Sequence, residues 1–129
     1  MLNGKYVLIF DYDGTIVRNR WPEPGPFRIG ARFWIKWFKK QGHYLILNTC
    51  RTCLNKHPCL LCLAKHQLEK AGLKFDYYNE NHPDLIRQYG VDSRKISGDW
   101  YFDDLAGFMG WWTVPFILIW LKIKNHRRG

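Results

Sequence analysis

Two pairs of carboxylates and two pairs of thiols carry the chemistry open to this chain. Asp11 and Asp13 stand two residues apart, directly after the apolar run at 6–10 and just before Gly14 and Thr15. Residues i and i+2 of an extended segment point to one side. Acids at the end of a buried strand need a cation, a proton or solvent. Asp103 and Asp104 follow the aromatic run 100–102. Two adjacent acids beside a core are again costly alone, which favours a metal over a plain surface loop. Cys50-x-x-Cys53 and Cys59-x-x-Cys62 hold all four cysteines of the chain. Soft thiolates at paired two-residue gaps are the pattern of a tetrahedral zinc or iron–sulfur site, with His57 as a substitute ligand. Reduced thiols buried in a helix and a redox pair are the readings that compete with it.

The elements that must position these groups alternate between strand and helix. Residues 6–10 are too few, and too β-branched or aromatic, for an independent helix and read as a buried strand. Gly14 then turns the chain. Residues 18–29 contain three prolines and a glycine and read as a loop leaving the acidic strand. Arg18, Arg20 and Trp21 are candidate substrate contacts there, the alternative being a stiff surface connection. Residues 30–41 read as a helix with Phe33, Trp34, Trp37 and Phe38 as its core stripe, ended by Gly42. Residues 44–48 read as the second strand. A helix follows at 59–71, opened by Pro58 and carrying Leu60, Leu63, Ala64, Leu68 and Ala71 inward. A strand is expected at 74–78, a short helix at 84–89, a strand at 100–102, a last short strand at 113–116 and a terminal helix at 117–123. This order predicts an α/β protein: a three-layer α/β/α sandwich with a central parallel sheet, its first strand central. Ligand sites of such sheets lie beyond the carboxyl ends of the strands.

Asp11-x-Asp13-Gly14-Thr15 after a hydrophobic strand resembles the first motif of the haloacid-dehalogenase-like phosphohydrolases. Three further features fall in that superfamily's order: a strand ending at Thr49, then Lys95, then Asp103-Asp104 after an aromatic strand. The resemblance runs over nearly the whole chain. It is nearest to the small, capless or minimally capped phosphatases, which share a Pro-rich segment after motif one and a T-x-R second motif, here Thr49-Cys50-Arg51. It implies a Rossmann-like fold and phosphoryl transfer to water through an aspartyl phosphate. Asp11 would be the nucleophile and Asp13 the general acid and base. Thr49 would hold phosphoryl oxygens and Lys95, with Arg94 beside it as a rival, would supply positive charge. Gly14, Thr15, Cys50, Arg51, Arg18 and Arg20 would line the substrate. Mg²⁺ would be held by Asp11, the backbone carbonyl of Asp13, Asp103 and Asp104. Asp99 is an added candidate through the spacing Gly98-Asp99 to Asp103. The stretch at about 50–62 looks like a Cys-rich insertion relative to these phosphatases.

At 129 residues the chain is expected to be one domain, with no room for a second substrate-binding domain. Twenty Lys and Arg against eleven Asp and Glu give a formal charge of +9, which attracts phosphates, nucleotides or nucleic acid. The apolar run between Lys5 and Asp11 is too short for an export leader, so a cytoplasmic location is expected. The apolar stretch near 108–123 is broken by Gly110 and Pro115 and too short to span a membrane. Trp111, Trp112 and Trp120 suggest a homodimer. His43, His66, His82 and His126 read as surface residues. The rival function is a basic nucleic-acid-binding module without catalysis, built around a metal held by the four cysteines. It leaves the four acids unexplained.

Overall fold

The computed structural model describes residues 2–52, 59–90, 92 and 96–128. Four strands, β1 (Val7–Phe10), β2 (Tyr44–Leu47), β3 (Tyr77–Tyr78) and β4 (Trp100–Phe102), form one sheet in the order β3-β2-β1-β4. Every pairing is parallel, with Phe10 opposite both Leu47 and Phe102. Parallel neighbours need crossover connections. Helices α1 (Ala31–Lys40), α2 (Leu60–Lys70) and α3 (Pro83–Tyr89) supply them, and α4 (Val114–Arg128) closes the chain. β1 is central, as expected. Strand order runs outward from β1 through β2 to β3, then restarts on the other side with β4. The reversal falls between β1 and β4.

All four residues of β1 are buried, as they must be when both faces of a sheet are covered. Leu8, Phe10, Leu45, Leu47 and Phe102 face a large cluster shared with α1, α2 and α4. Val7, Ile9 and Ile46 face a smaller one with Leu2 and the Leu85 side chain of α3. The Phe10 and Phe102 rings stack at 4.8 Å, and Trp111 stacks on Phe102 at 5.5 Å. This aromatic floor holds the carboxyl ends of β1 and β4 in register.

Three local expectations are corrected. The core face of α1 is Ala31, Ile35 and Phe38, and Phe33 is 63% exposed. At 100° per residue Phe33 falls about 200° from Ala31, so only Trp34 and Trp37 can flank the buried stripe. The strand expected at 74–78 shrinks to Tyr77–Tyr78. No strand forms at 113–116. A 3₁₀ turn at Trp111–Thr113 leads straight into α4. Pro115 sits in the helix's first turn, where its missing N–H costs nothing. Val114, Ile117 and Leu121 recur at helical spacing and are buried.

Candidate active site

Asp11 follows the last residue of β1, and its N–H donates to the Phe102 carbonyl of β4 at 2.8 Å. The chain then folds back over Tyr12, whose carbonyl accepts from Ile16 and Val17. Gly14 has φ +89°, and a Cβ there would lie 2.5 Å from Asp104 Oδ2. The positive φ demands glycine, and a side chain there would also displace the Asp104 carboxylate. Thr15, fully buried, joins the two acidic loops. Its Oγ1 accepts from the Asp104 N–H at 2.9 Å and donates toward Asp11 Oδ2 at 3.2 Å. The Trp111 indole N–H donates to the Thr15 carbonyl at 2.9 Å. Asp103 caps a 3₁₀ turn, its Oδ1 accepting from the Leu105 N–H at 3.0 Å.

The result is a cluster in which Asp11, Asp103 and Asp104 each bring a carboxylate oxygen within 4.8 Å of the others. It lies where the strand order reverses, the usual ligand position of such sheets. Burial first, and then the neighbouring Asp103 and Asp104 carboxylates, push the Asp11 carboxyl up to about 7, against the opposing hydrogen bond from Thr15.

Asp13 goes elsewhere. Its two oxygens are held by Arg51 Nε and Nη2, each at 2.8 Å. Its carboxylate is therefore not part of the acidic cluster, contrary to the shared side expected for residues i and i+2. The chain already turns at Tyr12, between the two acids, so the extended conformation on which that expectation depends is absent. Arg51 is also corrected. It is fully buried, with Nη1 on the Pro22 and Leu60 carbonyls and Nη2 reaching the Glu23 carbonyl. Tyr12 and Trp21 rings lie about its guanidinium at 5.1 and 5.0 Å. All five N–H donors are engaged, so none is left for a substrate. Trp21 packs on this ion pair.

Thr49 stands at the mouth of β2. Its N–H donates to Asn79 Oδ1 at 2.7 Å, and its Oγ1 accepts from the Arg51 N–H at 3.2 Å. Among the described residues the Cys50 N–H donates to nothing. Asn79, which the sequence shows only as a turn residue, ties the loop down with a second bond to the Arg51 carbonyl. Its φ of +56° is a conformation asparagine tolerates. Lys95, Arg94, Cys53 and His57 lie outside the described residues. Asp99 is excluded from the cluster: its Oδ2 accepts from the Val7 N–H at 2.7 Å, at the opposite end of β1.

Arg18 and Arg20 are exposed and line a cleft of about 780 Å³ that starts at Gly14. Arg28 lines it too, donating to the Gly14 carbonyl at 3.0 Å, although no motif in the sequence marks it. Cys59 is disulfide-bonded, and its Sγ accepts from the Cys62 N–H at 3.3 Å as the cap of α2. A sulfur in a disulfide is not a thiolate, the form that binds metal, so Cys59 would have to be reduced to serve as a ligand. Cys50 is a free, exposed thiol. His82 is corrected from surface to buried: it caps α3, its Nδ1 accepting from the Asp84 N–H at 3.0 Å. His43 is half-buried and accepts from the Tyr6 N–H at 3.1 Å.

These features define an α/β protein with an all-parallel sheet and an acidic site at its reversal point. No family model matches the chain, nor does any curated protein. A solved structure, described as that of "the conserved protein coded by locus from Bacteroides thetaiotaomicron", is similar with 27% identity and a TM-score of 0.69. The match covers 95% of this chain and 92% of that one. The two share an α/β architecture over nearly their whole lengths.

Proposed function

We propose that the chain is a Mg²⁺-dependent phosphomonoester hydrolase of the haloacid-dehalogenase-like type, capless or nearly so, with Asp11 as nucleophile. The observation that carries this reading is the meeting of Asp11, Asp103 and Asp104 at adjacent strand ends. The parallel sheet covered on both faces supports the three-layer, Rossmann-like form of that superfamily. The donor set suits Mg²⁺, which prefers hard oxygen ligands. A cation there would also relieve the crowding that raises Asp11. When bound, Mg²⁺ supplies the positive charge that lets a carboxylate approach a phosphate.

An Asp11 oxygen attacks phosphorus, a P–O bond to Asp11 forms, and the ester P–O bond breaks with the alcohol leaving. Water then cleaves the acyl phosphate, releasing inorganic phosphate and restoring the carboxylate. The Thr49 hydroxyl and the Cys50 N–H hold phosphoryl oxygens, with Gly14 and Thr15 shaping the turn beneath, and Lys95 balances charge. Asp13 is the acid and base. Because both its oxygens rest in the Arg51 fork, its proton transfers require it to rotate away from Arg51. Arg51 acts by positioning Asp13 and the loop.

Cytoplasmic residence belongs to the same reading. There the thiol pool would keep Cys59 reduced, and the reduced chain could offer Cys50, Cys53, Cys59 and Cys62 to structural zinc. Elemental analysis of untagged, reduced protein checks this: no zinc or iron rejects it. No helix of the described residues is long and apolar enough to cross a membrane. Trp111, expected on the dimer face, is buried in the core, so the homodimer would close on Trp112 or on the exposed outer stripe of α4, Phe116, Ile119, Trp120 and Ile123. Sedimentation showing only monomer at micromolar concentration removes it.

The test of the enzyme is phosphate release with Mg²⁺ from small phosphates, nucleotides and end-phosphorylated oligonucleotides, beside Asp11→Asn. Release by the parent and none by the variant is expected. Equal release by both overturns the aspartyl-phosphate mechanism. No release, together with salt-dependent oligonucleotide binding, favours the basic nucleic-acid-binding module instead.

A further inference from the structure

Beside the acidic cluster, the cleft that begins at Gly14 has a composition that small phosphate esters do not call for. Arg18, Arg20 and Arg28 line it, and Met109 and Trp112 add apolar surface to the same lining. Met109 is 73% and Trp112 65% exposed, so neither serves the core. Trp112 and Arg28 meet across Gly110: a Cβ there would lie 2.9 Å from Trp112 Cδ1 and 3.7 Å from Arg28 Nη2. Arg28 is anchored by its backbone N–H on the Ile16 carbonyl and by Nη1 on the Gly14 carbonyl, and among the described residues its other guanidinium N–H groups bond nothing. The cleft's volume of about 780 Å³ far exceeds one phosphate and falls within the range that holds a nucleotide-sized ligand.

Resting on the phosphatase reading of the neighbouring site, we infer that this cleft selects substrates that carry a second phosphate and a planar base beyond the reacting phosphate. The reacting group sits against Asp11. The next phosphate meets the guanidinium groups, which suit phosphate oxygens through paired donors. The base lies on the Trp112 indole, since any base offers a π-face. Nucleoside diphosphates, cleaved at the anhydride with a nucleoside monophosphate as leaving group, and the phosphorylated ends of oligonucleotides, cleaved at the ester with an alcohol leaving, both present this pair of groups. A sugar phosphate lacks both added groups.

Calorimetric titration of the Asp11→Asn protein with Mg²⁺ separates binding from turnover. The probes are ribose 5-phosphate, a nucleoside monophosphate, a nucleoside diphosphate and a 5′-phosphorylated dinucleotide. The expected order is weakest for the sugar phosphate, stronger for the monophosphate and strongest for the last two. Which of these two binds tighter distinguishes a free nucleotide from a nucleic-acid end. Trp112→Ala and Arg20→Ala should each weaken the best probe roughly tenfold, while Trp120→Ala, outside the cleft, should leave it unchanged. The inference is overturned if ribose 5-phosphate binds as tightly as the others, or if neither cleft variant alters the best probe. Loss of the phosphatase reading would appear separately, as selective binding by this panel without phosphate release by the parent protein.

Discussion

Asp11 carries a carboxyl raised from its ordinary 3.8 to about 7 by burial and by Asp103 and Asp104. Between those values the folded chain holds a proton that the unfolded chain has released. The Asp11 contribution to folding stability therefore falls as pH rises through that interval. Measured against Asp11→Asn, metal-free protein should accordingly lose stability from about pH 5 to about pH 8, against the opposite slope of His43 and His82, whose pKa values burial lowers. Mg²⁺ should raise the midpoint chiefly at the higher pH, because it binds the ionised cluster. Asp11→Asn should flatten the slope and melt no lower than the parent at the higher pH without metal. Thermal scans in chelator and in Mg²⁺ check this, and equal pH slopes in the metal-free parent and Asp11→Asn would contradict it. The Asp13–Arg51 pair calls for a different test. Arg51→Met strands a half-hidden carboxylate and frees carbonyls of the Pro-rich loop, so urea unfolding should show a loss of about 3–5 kcal/mol. A loss below about 1 kcal/mol would mean water replaces the guanidinium cheaply.

Helix α4 shows what an element can reveal and conceal. Its inner stripe, Val114, Ile117 and Leu121, is buried, while Ile119 is 58% exposed. Leu121→Ala should cost about 2–5 kcal/mol in chemical denaturation. Ile119→Ala should change monomer stability by no more than about 0.5 kcal/mol. In the sequence both faces of α4 are apolar, so its phase is hidden, and Pro115 reads as an interruption when it is a first-turn residue. The strands β1, β2 and β4 are legible because short aromatic and β-branched runs end near glycine, threonine or acid. Phe33 falls off the expected face because an aromatic-rich helix has no polar contrast to fix its inner side. The meeting of Asp11 with Asp103 and Asp104 is legible through their shared place after strands. The departure of Asp13 is not: it depends on a long-range fork from Arg51, and local spacing carries no record of a partner 38 residues away. Arg28 and Asn79 escape notice for the same reason, since each acts through backbone carbonyls or amides remote in sequence.

Seen whole, the molecule joins its first strand to its last. Thr15 bonds Asp104 across a sequence separation of 89 residues, and β4 enters the sheet beside β1 only after β2 and β3 are in place along the chain. Contacts of such long range slow folding, because loop closure precedes their reward. The basic cleft and the acidic site also draw on both ends of the chain, so neither half alone carries either one whole. During synthesis, a nascent chain that has emerged only through β3 owns Asp11 but neither of its acidic companions. It can form three strands of the sheet without gathering the anionic cluster. The cluster is thus silent on the ribosome until β4 and the loop after it emerge, and any cation it takes can arrive only once residues 103 and 104 have been made.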